Sequence, residues 1–189
     1  MGDAIERRLV YYRKINHAFT PGAPIDSRDL FAGRGRQVEK VINTIFQRGQ
    51  HAVIFGERGV GKTSLANTLY DFLVLAGNYS YTRARLNCSD GIGFEALWYS
   101  IFKQFEIEVE GQSYTLDQYL PASPIPESIR ETFQALDRPS IVIIDELDRI
   151  TDHQTQVAMA DTIKTLSDNS VNTTLILVGV ADSLGQLIA

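Results

Sequence analysis

The sequence has a single cysteine, Cys88, which excludes an internal disulfide and leaves no cysteine cluster for a structural zinc. Cys88 reads as a small buried residue. Histidine is also scarce: His17, His51 and His153 lie far apart, without metal-ligand spacing, and read as solvated or packed side chains. No run approaches 18 consecutive apolar residues, so no membrane span is expected. The opening stretch MGDAIERRLVYYRK is charged and amphipathic and lacks the apolar centre of a secretory signal, so a cytoplasmic location is expected. In that setting the three Asn-x-Ser/Thr matches, at Asn78, Asn87 and Asn172, read as chance. An excess of cations is missing too. Lys and Arg number 18 against 23 Asp and Glu, a net charge of −5. That argues against a whole-molecule cationic field for nucleic acid, leaving only a local basic patch open.

What is present is ordinary for a globular chain: 189 residues, 44% hydrophobic and 22% charged. At roughly 150 residues per domain this is one domain with an appendage. Residues 3–19 read as a helix striped by Ile5, Leu9, Tyr12 and Phe19. Thr20-Pro21-Gly22-Ala23-Pro24 reads as a turn or linker, separating an N-terminal arm (1–24) from the main body (25–189). Helices follow from apolar spacing over 36–48, 62–76, 94–106, 127–136 and 152–167. The last is striped by Val157, Ala160, Ile163 and Leu166, and the aromatic stripe of 94–105 reads as core packing. Short apolar runs at 52–55, 141–144 and 175–178, with a further stretch at 80–87, read as strands, and 111–127 reads as an insertion or loop. Strands that are apolar on both faces and alternate with helices imply an α/β fold, a parallel sheet covered on both sides.

The strand 52–55 runs into Gly56-Glu57-Arg58-Gly59-Val60-Gly61-Lys62-Thr63, followed by Ser64. This is the G-x-x-x-x-G-K-T phosphate loop, in its required place between a strand and a helix. Glycines let the backbone curl so that successive N–H groups face a phosphate, and the helix N-terminus favours the same anion. Lys62 is expected to reach the β- and γ-phosphates, and the Thr63 hydroxyl to bind magnesium. A second signal lies where the strand Ile141–Ile144 runs into Asp145-Glu146. In an open parallel sheet the carboxyl ends of the strands are where ligands bind. An Asp there can hold Mg²⁺, and the adjacent Glu can act as general base on the attacking water.

Gly56–Thr63, Ile141–Glu146 and the run Val178-Gly179-Val180-Ala181-Asp182 together resemble the Walker A, Walker B and sensor 1 segments of an AAA+ ATPase. Leu30-Phe31-Ala32-Gly33-Arg34 is similar to the segment preceding Walker A in the replication-initiator clade, where it borders the adenine pocket. That places Phe31 and Arg34 beside the nucleotide. The wording GERGVGKTSLAN and LVGVADS also resembles bacterial AAA-domain proteins and, more distantly, STAND signalling ATPases. The resemblance covers residues 30–189. It implies a three-layer α/β/α sandwich of P-loop type with strand order 5-1-4-3-2, and ATP with Mg²⁺ as cofactors. Asp182 falls at the sensor 1 position, commonly Asn, where an acidic residue is a departure; a turn or cap role stays open. Asn87 sits where many relatives place a polar residue that swings the catalytic Glu, or else it is a strand-end turn residue. Asp148 reads as an ion-pair partner and Arg58 as exposed.

The expected function is Mg²⁺-dependent ATP binding and hydrolysis that drives conformational change in an oligomeric or multidomain assembly. The expected partners are ATP or ADP and a second copy or partner protein on the ATPase face. Two alternatives are a nucleotide-dependent switch or scaffold with little turnover, and a DNA-remodelling initiator or transposition-type ATPase, which the charge does not support. Only eleven residues follow the strand ending at Val178. The fifth strand, the arginine finger and the helical lid of the family are therefore expected outside this chain, with the 52–55 strand at a sheet edge.

Overall fold

The computed structural model describes residues 35–76 and 81–181. The helix expected at 3–19, the linker with its domain boundary, and Phe31, Arg34 and Asp182 lie outside the described residues. In chain order the elements are α1 (Gly35–Ile45), β1 (Ala52–Gly56), α2 (Lys62–Ala76), β2 (Thr82–Asn87), α3 (Phe94–Phe102), β3 (Glu106–Val109), β4 (Gln112–Thr115), α4 (Pro126–Gln134), β5 (Ser140–Asp145), α5 (His153–Asp168) and β6 (Thr173–Val180). The main sheet runs β1-β6-β5-β2, and every pairing is parallel. Counting main-sheet strands alone, this is the 1-4-3-2 portion of the expected order. Among the described residues β1 does lie at an edge, with β6 as its one neighbour.

Side chains alternate across each strand, and both faces are apolar. Val142, Ile144, Leu175 and Leu177 enter the core under α3, α4 and α5. Ile141, Ile176 and Val178 enter a second core with Val38, Val41 and Ile45 of α1 and Leu65, Ala66 and Leu69 of α2. One strand thus feeds two cores, and the molecule has three layers. The aromatic stripe of α3 does pack as core: Trp98 stacks near Phe102 and meets Phe133 of α4 edge-on, with centroids 5.8 Å apart in each pair. No helix among the described residues is long and apolar enough to cross a membrane.

Three expectations need correction. The helix expected over 94–106 ends at Phe102, and the supposed loop from 111 holds a strand. Glu106-Ile107-Glu108-Val109 alternates polar and apolar residues, the period of a strand. Glu110 and Gly111, at φ 53° and 78°, close the two-residue turn of a β3–β4 hairpin. The stripe of α5 is also rotated from the expected one. Thr155, Met159, Thr162 and Leu166 are buried, while Val157 is exposed. The threonines can face inward because their hydroxyls are satisfied there. Thr162 donates to the Ala158 carbonyl, and Thr155 accepts the Phe94 N–H.

The turn before β1 passes close to the end of α5. Gly49 has φ 71°, and a Cβ there would meet the Ser167 carbonyl oxygen at 2.8 Å, so only glycine fits. Next to it, His51 Nδ1 accepts the Leu175 N–H at 3.0 Å, tying the entry of β1 to β6. Burial pushes the imidazole down from 6.5 to about 4. The folded state therefore holds His51 neutral while the unfolded chain protonates it. This contribution to stability is complete above pH 6.5 and is lost as pH falls toward 4, amounting to as much as about 3 kcal/mol. Urea unfolding at pH 7 and pH 4.5 should show wild type losing more stability on acidification than His51→Gln. Identical losses would refute this role.

Candidate functional site

The candidate site is built at the carboxyl edge of the main sheet, where β1, β5 and β2 end. β1 closes at Gly56, and residues 57–61 loop over to the first residue of α2, Lys62. Gly56, Gly59 and Gly61 take φ values of 146°, 83° and 82°, a curl that side-chain-bearing residues resist. The Leu65 N–H then bonds the Gly61 carbonyl at 3.0 Å and starts the helix. The first turn of α2 carries no acidic residue, so no carboxylate competes for its positive end. Lys62 is buried, and its Nζ donates to the Gly56 and Glu57 carbonyls at 2.8 and 2.7 Å. The ammonium is thereby held inside the curl of the loop. Thr63 is half-buried and Ser64 buried, whereas Glu57, Arg58, Gly59 and Val60 face outward.

At the other end, parallel register sets Asn87 of β2 opposite Asp145 of β5. The Cys88 N–H continues the ladder to the Asp145 carbonyl at 2.9 Å. The Asp145 carboxylate is buried and both its oxygens have a partner: Oδ1 accepts the Glu146 N–H at 2.9 Å, and Oδ2 accepts Arg85 Nη2 at 2.8 Å. Arg85 Nε also leans on Asn87 Oδ1 at 3.4 Å. Glu146 follows in the left-handed region, at φ 56° and ψ 41°, which costs a non-glycine residue about 1–3 kcal/mol. That turn ends the strand and sends the Glu146 carboxylate to Arg149, whose Nε lies 3.0 Å from Oε2. Asp148 accepts the Val180 N–H at 2.7 Å and fastens the end of β6 to the turn after β5.

Structure thus brings Asn87, Asp145 and Glu146 together on one sheet edge. It also adds two cations that sequence reasoning missed. Arg149 had a visible signal, the i, i+3 spacing from Glu146. Arg85 had none, because its partner lies 60 residues away in sequence. The donor set fits a magnesium nucleotide: a hydroxyl and a carboxylate are hard oxygen ligands, and an ammonium at a helix N-terminus suits phosphates.

A family model described as an AAA domain matches residues 45–188. Among curated proteins, none matches by sequence. Solved structures similar to this chain include the ORC1 protein of Aeropyrum pernix in complex with DNA, at 16% identity and a TM-score of 0.59, over 89% of this chain and 43% of that one. A Walker-type ATPase of Pyrococcus abyssi is similar at 15% identity and a TM-score of 0.55, over 86% of this chain and 49% of the other. At such identities the likeness is one of fold. The chain spans about half the length of these structures or less.

The site also sets the chemistry of its one thiol. Burial, and then the negative charges of Asp145, Asp148 and Glu146, push Cys88 up to about 12, with Arg149 opposing them. The thiolate is the reactive species, so Cys88 should resist alkylation in the folded protein at pH 8. Iodoacetamide labelling followed by mass spectrometry should show modification only after denaturation. Rapid labelling of the folded chain would contradict this burial.

Proposed function

The chain belongs to the AAA domain family, and from that premise we propose that it binds and hydrolyses ATP with Mg²⁺, coupling turnover to conformational change in a larger assembly. One observation supports this above all: the curled phosphate loop with Lys62 inside it lies on the same sheet edge where Asp145, Glu146 and Asn87 meet. Residues 56–64 cradle the phosphates through backbone N–H groups and the Lys62 ammonium. In this reading Lys62 leaves its two loop carbonyls to meet the β- and γ-phosphates, an exchange of neutral acceptors for charged ones. Thr63 and Asp145 hold the metal, which when bound neutralises charge developing on the phosphates. Glu146 takes a proton from the attacking water, after leaving Arg149. Asn87, adjacent to Asp145 across the ladder, orients Glu146. Asp182 is assigned to orient water beyond the end of β6, and Phe31 and Arg34 to border the base.

Self-association, or a partner protein on the ATPase face, would complete the pocket. A nucleotide-dependent switch with little turnover is the second reading. The observation behind it is the Glu146–Arg149 pair, which has to open before the general base can act. DNA binding has weaker support, since the net charge is −5.

Two substitutions separate binding from chemistry. Lys62→Ala should abolish nucleotide binding while leaving the fold intact. In thermal melts, wild type should gain roughly 2.7 kcal/mol from Mg·ATP at a hundredfold excess over Kd. An equal gain in the variant would refute the role of Lys62. Glu146→Gln should retain binding and lower phosphate release by about 10²–10⁴. Unchanged turnover in that variant, or wild-type binding with no detectable turnover, would move the conclusion to the switch.

A further inference from the structure

Asp145 is almost wholly buried, and an ionised carboxylate at that depth needs partners. It has two, the Glu146 N–H on one oxygen and the Arg85 guanidinium on the other. In the β2–β5 ladder Arg85 stands opposite Ile143, two residues short of Asn87 and Asp145. Ala84 points into the core under α3, α4 and α5. By alternation Arg85 therefore points to the other face, the one covered by α1 and α2 and continuous with the phosphate loop. Its side chain reaches along that face to the strand end.

The two members of the pair are unequally exposed. The Arg85 side chain is 34% exposed, and that of Asp145 is 4% exposed. Arg85 sits on β2, an edge strand among the described residues. If the pair opens, Arg85 is the member that can rehydrate. Asp145 cannot, unless another cation takes its place.

We propose that Arg85 is a built-in counter-cation that occupies Asp145 when the site holds no metal, and that Mg²⁺ binding requires its displacement. This rests on the assignment of Asp145 as the metal-holding carboxylate. The pair keeps the resting site near neutral and withholds that carboxylate from free cations. Arg85 is then a positioning residue that sets the metal requirement for tight nucleotide binding. It need not touch the reacting atoms. The Asn87 oxygen, 3.4 Å from Arg85 Nε, offers the displaced guanidinium a neighbouring acceptor.

The test is binding of a fluorescent ATP analogue to wild type and Arg85→Gln, titrated with Mg²⁺. Glutamine keeps a polar side chain and removes the charge. The concentration of Mg²⁺ giving half-maximal tightening should fall about tenfold in the variant, within the usual range for coupled sites. Affinity in excess EDTA should not rise, since without the metal the variant leaves the Asp145 charge unpaired beside the phosphates. An unchanged or higher Mg²⁺ requirement would overturn the proposal while leaving the proposed function standing. Wild-type affinity that is indifferent to Mg²⁺ would overturn both.

Should Arg85→Gln fail to fold, the wild-type protein still decides the matter through the guanidinium Nη2–H resonance of Arg85, the group that bonds Asp145, assigned with Arg85→Lys. With ATP and EDTA that signal should exchange slowly with water. With ATP and Mg²⁺ it should shift and exchange faster. A signal identical in the two conditions would refute displacement.

Discussion

In the β2–β5 ladder Asn87 stands opposite Asp145, and the chemistry of the site depends on that match. A slip of one residue in either strand would send alternate side chains to the opposite face. Arg85 would then point into the core that receives Ala84, and its bond to Asp145 would be lost. The register is protected because both faces of β5 are apolar and each fills a different core. The parallel direction matters as much. It brings the carboxyl ends of all four strands to one edge, so that a loop after β1 and a turn after β5 can serve one ligand although more than 80 residues separate them.

That edge concentrates negative charge, and the fold answers each carboxylate separately. Asp145 is paired by Arg85, Glu146 by Arg149, and Asp148 by a backbone N–H at the end of β6. The three differ in depth. Asp145 is buried, and its partner offsets the loss of water around it. Glu146 and Arg149 are both close to half-exposed, so their pair is screened and readily opened. The group assigned to hold a metal is thus firmly held, and the group assigned to move a proton is loosely held. Strain at Glu146 follows from the same geometry: the chain must leave β5 abruptly for its carboxylate to point away from the core.

Length accounts for which elements were legible. The apolar runs at 52–55, 141–144 and 175–178 are too short for helices and end at turn residues, and each is a strand. The β3–β4 hairpin was not, because Phe105 and Ile107 prolong the apolar rhythm of α3 beyond its true end. Residues Glu110 and Gly111 carry the turn that breaks it, a two-residue signal easily lost beside a strong helical stripe. The inward face of α5 was misplaced for a related reason. Threonine counts as polar in a sequence pattern, yet Thr155 and Thr162 are buried with their hydroxyls bonded locally.

The sequence by itself determined the glycine-rich loop after β1 and the acidic strand end, because each needs particular residue types in consecutive order. Gly59, Gly61 and Lys62 shape and charge one loop wherever it lies. Tertiary structure alone decided which cations face the carboxylates, which edge gathers the site, and how deeply each group is buried. Those properties belong to pairs of residues far apart in the chain. Arg85 meets Asp145 only because two parallel strands align in one register, and no spacing within either strand announces the other.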